Sequence, residues 1–214
     1  PDRALLCCSF EAELPPRPPV DLLLALPRPK VIKRLWAQLA AMGVGRIALD
    51  DIFRLRLELI RPTRAEAAAI GQLYIAHVEP GARATLAALR RAGWTPLIVS
   101  GGYTQAIEPL AAWLGIERIE AVGLHFTADG DYAGYDAAHP AARRGGKPEI
   151  MRALRTEFAP ERLVMVGDGA SDLETRDVVD LFVGFGRYAE RRAVKEGAAA
   201  YLYCLDQLPG ILAP

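Results

Sequence analysis

The chain has 214 residues, 51% of them hydrophobic, and its 26 lysines and arginines balance its 26 aspartates and glutamates to a formal net charge of zero. That length fits one domain of ordinary size with a small insertion. The charge balance argues against nucleic acid or an anionic membrane surface as the main partner. No apolar run is long enough to span a bilayer, so no membrane partner is expected.

The cysteines and the N-terminus bear on the cellular setting. Cys7 and Cys8 are adjacent, which is poor geometry for a disulfide, and together with Cys204 they show no zinc-site spacing. A reduced, cytoplasmic protein is therefore expected. Residues 1–14 lack the basic start and the cleavage site of a signal peptide. The first residue is not methionine, and we expect the natural start to lie upstream.

Six short apolar runs, each bounded by glycine, proline or charge, predict strands. They are apolar on both faces, as the strands of a buried parallel sheet are. The runs are 4–10, 95–100, 119–124, 162–166, 180–185 and 199–204.

Helical patterns lie between these strands. One of them begins with Thr63 and has Glu66 at the capping-box position, and the next ends at Gly93, a helix-stop residue. The alternation of strand and helix from about residue 80 onward predicts a doubly wound α/β sheet. The helical patterns are 63–78, 81–93, 103–115, 147–158 and 188–197, the last of them a polar surface helix.

Two stretches depart from this alternation. Residues 124–136 alternate in polarity around an Asp-Gly pair and predict a β-hairpin. Residues 14–34 contain six prolines and predict a loop or an irregular helix, after which the chain looks helical up to residue 78. We therefore predict a Rossmann-like core formed by residues 1–14 and 79–214, with a small helical cap over 15–78.

Polar residues stand at the predicted strand ends, where ligands bind in an open parallel sheet. Carboxylates follow the first and fourth strands and suit Mg²⁺, which takes oxygen ligands. A Ser-Gly-Gly sequence follows the second strand and suits phosphate oxygens, and a lysine before the fourth strand supplies positive charge. Taken singly, each fits a turn or a solvated surface, but the four in order predict a site for phosphate and magnesium. The residues are Glu11, Glu13, Ser100, Gly101, Gly102, Lys147, Asp168 and Asp172.

Three segments resemble the motifs of one enzyme family. "LIVSGGY" (97–103), "GGKPEIMRAL" (145–154) and "VMVGDGASDLET" (164–175) are similar to the second, third and fourth motifs of the phosphoserine phosphatase family within the haloacid dehalogenase superfamily. The likeness covers roughly residues 42 to 205. It implies a haloacid dehalogenase-like core with a helical cap and Mg²⁺ dependence. It also implies hydrolysis of a phosphate monoester, O-phosphoserine, through an acyl-phosphate intermediate, the last step of serine biosynthesis.

The resemblance also implies roles for individual residues. Asp168 would bind the metal, and Asp172 would support the metal site together with Lys147, which is also assigned to catalysis and phosphate binding. Ser100 and Gly101 would bind phosphate. Two further substrate contacts follow from the family positions: Ser171 stands where the family has a substrate-contacting threonine, and Arg56 stands where it has the cap arginine that grips the carboxylate of phosphoserine.

The first motif departs from the family, which reads Phe-Asp-x-Asp-Ser-Thr. Aligning Phe10 on the family phenylalanine puts Glu11 at the nucleophile and metal ligand and Glu13 at the general acid and base, while Leu14 and Pro15 replace the hydroxyl residues. A second register would put Ser9 and Glu11 at the two positions and leaves no nucleophilic carboxylate. We prefer the first register because it keeps a carboxylate at both positions.

The altered motif leaves three interpretations of function open. The first is a phosphoserine phosphatase impaired by the longer carboxylates. The second is a catalytically inactive homologue that binds a phosphorylated amino acid or a partner protein. The third is a related phosphatase for another small phosphate ester, which the absence of the family's substrate-binding glutamate leaves open. The composition of residues 14–30 also fits a GC-rich gene read in a shifted frame. Oligomeric state, including a homodimer, is not decided by the sequence.

Overall fold

The computed structural model describes residues 4–8, 54 and 57–213 of the chain. A sheet of six parallel strands forms its centre, in the order β3-β2-β1-β6-β7-β8, and a separate two-stranded antiparallel hairpin contains β4 and β5. The strands are β1 (Ala4–Cys8), β2 (Trp94–Tyr103), β3 (Ile119–Val122), β4 (Leu124–Phe126), β5 (Tyr132–Tyr135), β6 (Arg162–Gly167), β7 (Leu181–Phe185) and β8 (Ala200–Leu202).

Helices flank the sheet. Residues 57–60 are also helical, and short 3₁₀ turns occur at Pro140–Ala142 and Leu205–Gln207. None of the helices in the described part of the chain is long and apolar enough to cross a bilayer. The helices are α1 (Arg64–Ala76), α2 (Ala82–Arg91), α3 (Thr104–Leu114), α4 (Gly146–Phe158), α5 (Ala170–Leu173), α6 (Arg192–Gly197) and α7 (Leu208–Leu212).

The core lies on both faces of the sheet, as the apolar strands predict. Successive residues of a strand point to opposite faces, so Cys8 packs with α2, α3 and α7, whereas Cys7 packs with α4 on the other side. A third cluster joins the helical residues 57–60 and α1 to the hairpin, where Tyr132 is buried. The α/β fold predicted from the alternation of strands and helices is confirmed.

Local signals in the sequence account for the helix boundaries. Thr63 caps α1 in a capping box, because its hydroxyl accepts from the Glu66 N–H at 3.2 Å and the Glu66 carboxylate accepts from the Thr63 N–H at 2.8 Å. Gly93 and Gly115 follow α2 and α3 with φ of +87° and +70°, a conformation that glycine adopts without strain.

The clearest differences between the structure and the sequence prediction lie at three boundaries. The strand predicted at 95–100 continues as β2 through Tyr103. The strand predicted at 119–124 divides at Gly123 into β3 and the start of the hairpin. The surface helix predicted at 188–197 begins only at Arg192, because the residues before it are held by side-chain contacts in an irregular path.

Most of the predicted cap, like residues 9 and 10 of the first predicted strand, lies outside the described residues. The end of the predicted cap, α1, packs on α3, and a Cβ at Gly71 would lie 2.5 Å from the Pro109 ring. Glycine at position 71 therefore permits the close approach of these two helices. The division at residue 78 stays a prediction.

Candidate active site

The topology of the sheet marks one point for ligand binding. Chain order runs outward from β1 in both directions, to β2 and β3 on one side and to β6, β7 and β8 on the other. In such sheets ligands bind beyond the carboxyl ends of the strands, where the order reverses. The candidate site is therefore at the carboxyl end of β1, between β2 and β6.

The strand register brings two predicted site residues to this point. Cys8 is paired with Ile98 of β2 and with Val166 of β6. Ser100 and Asp168 each lie two residues beyond those partners. They therefore stand on either side of the place where the chain leaves β1, at the same level of the sheet.

Ser100 is 1% exposed and lies in β2 as the strand reaches the site. Its Oγ accepts a hydrogen bond from the Gly102 N–H at 2.9 Å. A Cβ at residue 102 would lie 3.2 Å from that oxygen, so glycine leaves room for this turn of the chain. Because Oγ accepts from the backbone, the hydroxyl hydrogen is the group that can donate to a phosphate oxygen.

Lys147 and Asp172 form a buried ion pair beside the site. Lys147 Nζ lies 2.6 Å from Asp172 Oδ1, with the two side chains 4% and 0% exposed. The other carboxylate oxygen of Asp172, Oδ2, accepts from the Gly169 N–H at 2.9 Å. Hydrogen bonds from an ammonium group and a backbone N–H compensate the charge of a buried carboxylate. The pair fixes α4, which carries Lys147, to the turn that follows β6.

The turn after β6 requires glycine next to Asp172. A Cβ at Gly167 would lie 2.3 Å from the carboxyl carbon of Asp172. The Asp172 side chain is buried and is held from two sides by Lys147 and the Gly169 N–H. The glycine-rich sequence that follows the apolar strand therefore accommodates a buried carboxylate.

Asp168 points to the open side of this turn, where its side chain is 20% exposed. Arg191 donates to its carboxylate and also, at 2.9 Å, to its backbone carbonyl. Sequence reasoning missed Arg191, since it placed this residue in a solvated surface helix. The signal that could have found it is its position after β7, at the same end of the sheet as Asp168.

The structure gives less information about the other predicted site residues. Ser171 is partly buried in the first turn of α5. Glu11, Glu13 and Arg56 lie outside the described residues. Within the described residues, no three His, Cys, Asp or Glu side chains form a group that could hold a metal ion, so the described carboxylates alone do not make a complete cation site.

Comparison with known proteins identifies the family. The model of the haloacid dehalogenase-like hydrolases matches residues 16–175. The phosphoserine phosphatase of Mus musculus is 34% identical over 174 residues, which cover 80% of this chain and 77% of that protein. The chain belongs to the phosphoserine phosphatase family of the haloacid dehalogenase superfamily.

Solved structures of phosphoserine phosphatase type share the fold. A phosphoserine phosphohydrolase-like protein from Francisella tularensis superposes with a TM-score of 0.79 at 20% identity, covering 98% of this chain and all of that one. A phosphoserine phosphatase solved as a phospho-aspartyl intermediate analogue superposes with a TM-score of 0.74 at 20% identity over the whole of both chains. At this identity the likeness concerns the fold alone.

Membership of the phosphoserine phosphatase family confirms the resemblance drawn from the three motifs. By family, this chain is a phosphatase of the haloacid dehalogenase type. The stretch matched by the family model contains four of the residues described above: Ser100, Lys147, Asp168 and Asp172. The roles assigned to individual site residues remain predictions.

Proposed function

We propose that this protein hydrolyses the phosphate monoester of a small amino acid, O-phosphoserine, to serine and phosphate with the help of Mg²⁺. The curated relatives named phosphoserine phosphatase support the substrate class. We propose that this reaction is the last step of serine biosynthesis and that it takes place in the cytoplasm. The substitutions in the first motif lead us to expect slow turnover.

The observation that carries this proposal is the register of Ser100 and Asp168 on the two sides of β1. It brings a hydroxyl donor and a carboxylate to the switch point of the sheet. The buried pair with Asp172 fixes the Lys147 ammonium group, a hydrogen-bond donor for phosphate, next to the Asp168 turn. A donor, a cation and a carboxylate are what a phosphate ester with a bound metal requires.

Asp168 fits a hard cation by its chemistry, because its carboxylate is partly exposed at the strand end. Asp172 fits direct coordination less well, since Lys147 and Gly169 already donate to its two oxygens. We propose that Asp168 holds Mg²⁺ together with Glu11 and Glu13 of the first motif, and that Asp172 supports the site through Lys147. When bound, Mg²⁺ offsets the negative charge of the phosphate and its attacking carboxylate.

The reaction itself needs a nucleophile and a proton donor. We assign attack on phosphorus to the Glu11 carboxylate, with the bond to the serine oxygen breaking as Glu13 supplies a proton to that oxygen. Glu13 then removes a proton from the water that attacks the acyl phosphate and releases phosphate. Ser100 and the Gly101 N–H hold the phosphate oxygens, and Lys147 neutralises charge beside them.

We assign recognition of the serine part of the substrate to Arg56 and Ser171. Arg56 would hold the substrate carboxylate, because a guanidinium group matches a carboxylate with two parallel hydrogen bonds. Ser171, at the start of α5, would add a hydroxyl contact. Arg56→Ala is expected to weaken the binding of O-phosphoserine more than the binding of inorganic phosphate.

Phosphate release from O-phosphoserine, with and without Mg²⁺, tests the proposal. We expect slow, Mg²⁺-dependent release by the wild type, loss of the Mg²⁺ response in Asp168→Asn, and about a 100-fold loss in Ser100→Ala, the size associated with one preorganised donor. Arg192→Ala is the control, since that side chain is 90% exposed.

The same assay separates the alternatives. Faster release from another small phosphate ester would move the substrate assignment to that ester. Calorimetric binding of O-phosphoserine without any release would favour the non-catalytic homologue. Equal rates in wild type and Asp168→Asn would contradict the assignment of the site.

A further inference from the structure

The residues between β7 and α6, 186–191, cross the carboxyl end of the sheet without forming a helix or a strand. We call them the 186–191 segment. Its first residue, Gly186, lies under the Tyr201 ring, and a Cβ there would be 2.2 Å from the Tyr201 hydroxyl. Its last residue, Arg191, donates to Asp168. The path of this segment therefore decides whether Arg191 reaches the candidate cation ligand.

Glu79 anchors the start of the segment from a distant part of the chain. It lies between α1 and α2 and is only 3% exposed. Its Oε1 accepts from Arg187 at 2.8 Å and its Oε2 accepts from the Tyr188 hydroxyl at 2.7 Å. Both oxygens of a buried carboxylate are thus used to hold two consecutive residues of the segment, 108 and 109 positions further along the chain.

A second carboxylate anchors the end of the segment. Glu190 accepts from Lys195 at 3.0 Å and from the Tyr203 hydroxyl at 2.5 Å. These hydrogen bonds, that from Tyr203 first, keep the pKa of Glu190 below its usual range. This anchor is exposed to solvent, whereas the Glu79 anchor is buried, so we expect Glu79 to fix the segment more firmly.

We propose that Glu79 is a positioning residue of the phosphatase site, which holds the 186–191 segment so that Arg191 stays on Asp168 and lowers the affinity for the cation. The inference rests on the proposed function in one respect, that Asp168 is a ligand of Mg²⁺. Arg191 and Mg²⁺ both bind the Asp168 carboxylate, and a guanidinium group beside a metal site also repels the metal ion. An anchored Arg191 therefore competes with Mg²⁺, and a loosened one competes less.

The sign of the effect separates positioning from simple electrostatics. Removing the negative charge of Glu79 would, through space alone, make the site less attractive to Mg²⁺. Releasing Arg191 from Asp168 has the opposite effect and makes Mg²⁺ bind more tightly. Since the Arg191 and Asp168 side chains are 44% and 20% exposed, we expect a gain of about two- to fivefold, the range of a partly exposed ion pair.

Calorimetric titration with Mg²⁺ alone tests the inference on six proteins: wild type, Glu79→Ala, Glu79→Gln, Arg191→Ala, the Glu79→Ala/Arg191→Ala double variant, and Glu196→Gln as control. Glu196 is an exposed carboxylate on α6 paired with Arg192. We expect tighter binding in Glu79→Ala and Arg191→Ala, no further gain in the double variant, and no change in the control. Hydrogen exchange of the 186–191 amides should be faster in the three proteins that carry a Glu79 substitution, and unchanged in the others.

The possible outcomes are distinct. Weaker or unchanged Mg²⁺ binding in Glu79→Ala, or gains that add in the double variant, would overturn the positioning role. Lack of Mg²⁺ binding by the wild type would overturn the proposed cation site, and with it this inference. If Glu79→Ala does not fold, Glu79→Gln keeps the shape of the side chain and decides the same question by its affinity and its exchange rates.

Discussion

Lys147 and Asp172 lie 25 positions apart in the chain, yet their side chains meet at 2.6 Å and are both buried. Lys147 lies in the first turn of α4 and Asp172 in α5, the short helix after β6, so the pair joins two elements at the carboxyl end of the sheet. Two charges that are buried together stabilise each other, but either one alone is costly to bury.

Removing one partner of this pair should therefore destabilise the fold. We expect Lys147→Met to lower the free energy of unfolding by about 3–5 kcal/mol, because Asp172 is left as an uncompensated buried charge. Urea denaturation measures this. The double variant Lys147→Met/Asp172→Asn should lose less than the sum of the two single variants. Additive losses would mean that the two side chains stabilise the fold independently.

Gly167 should not tolerate a side chain. A methyl group there would meet the Asp172 carboxyl carbon at 2.3 Å, and overpacking of this kind costs about 1–3 kcal/mol. Gly167→Ala should lower the urea midpoint and also the rate of phosphate release, since it displaces the carboxylate that holds Lys147.

Gly210→Ala is the matched control for that substitution. Gly210 lies in α7 and a Cβ there meets nothing within 4 Å. Alanine is the better helix former, by up to about 1 kcal/mol, so this variant should be as stable as the wild type or more stable. A Gly167→Ala protein as stable as Gly210→Ala would show that the residues after β6 can shift to accommodate a methyl group at position 167.

The cysteines should differ in reactivity. Burial raises the pKa of Cys8 to about 12 and that of Cys7 well above its usual value, and a protonated thiol is a poor nucleophile. Cys204 is partly exposed. Iodoacetamide at pH 8 should therefore label the native protein at Cys204 alone, and mass spectrometry of the peptides locates the label.

Two controls accompany this labelling. The variant Cys204→Ser should remain unlabelled while it is folded, and denatured protein should be labelled at every cysteine that it retains. Labelling of Cys7 or Cys8 in the native protein, at the rate seen for Cys204, would contradict the burial of β1.

The sequence predicted those parts of the site that depend on a strand and the residues just after it. Ser100 and Asp168 could be placed because the carboxyl ends of parallel strands meet at one edge, and the register then brings both beside β1. Lys147 could be placed because it opens a helix before β6. These inferences need only local patterns and a general rule of sheet topology.

The sequence did not predict contacts between charged residues far apart in the chain. Glu79 lies between two predicted helices and no local pattern marks it as buried, yet it is 3% exposed and accepts hydrogen bonds from Arg187 and Tyr188. The sequence predicts Arg191 in a surface helix. In the structure the residue precedes the helix, and its side chain donates to Asp168. A charged side chain becomes buried only when its partner is near, and that depends on the tertiary fold.

The last prediction concerns the first motif, at residues 11–15, which lies outside the described residues. Each replacement of aspartate by glutamate moves the reacting oxygen by about 1.5 Å, one carbon–carbon bond, and a misplacement of about 1 Å can cost about 100-fold in rate. Glu11→Asp with Glu13→Asp should therefore raise the turnover of O-phosphoserine, while the dissociation constant changes little because Ser100 and Lys147 are unaltered.

Leu14→Ser and Pro15→Thr are added in a quadruple variant, because Pro15 lacks an N–H and restricts the backbone just after the second carboxylate. Phosphate release with Mg²⁺ is compared in the wild type, the double variant and the quadruple variant, each with and without Asp168→Asn. Rapid wild-type turnover that Asp168→Asn abolishes would show that Glu11 is competent as it stands. A quadruple variant that folds and binds O-phosphoserine but stays inert would instead favour a protein that binds the ester without hydrolysing it, since its carboxylates would then have the length that the family uses.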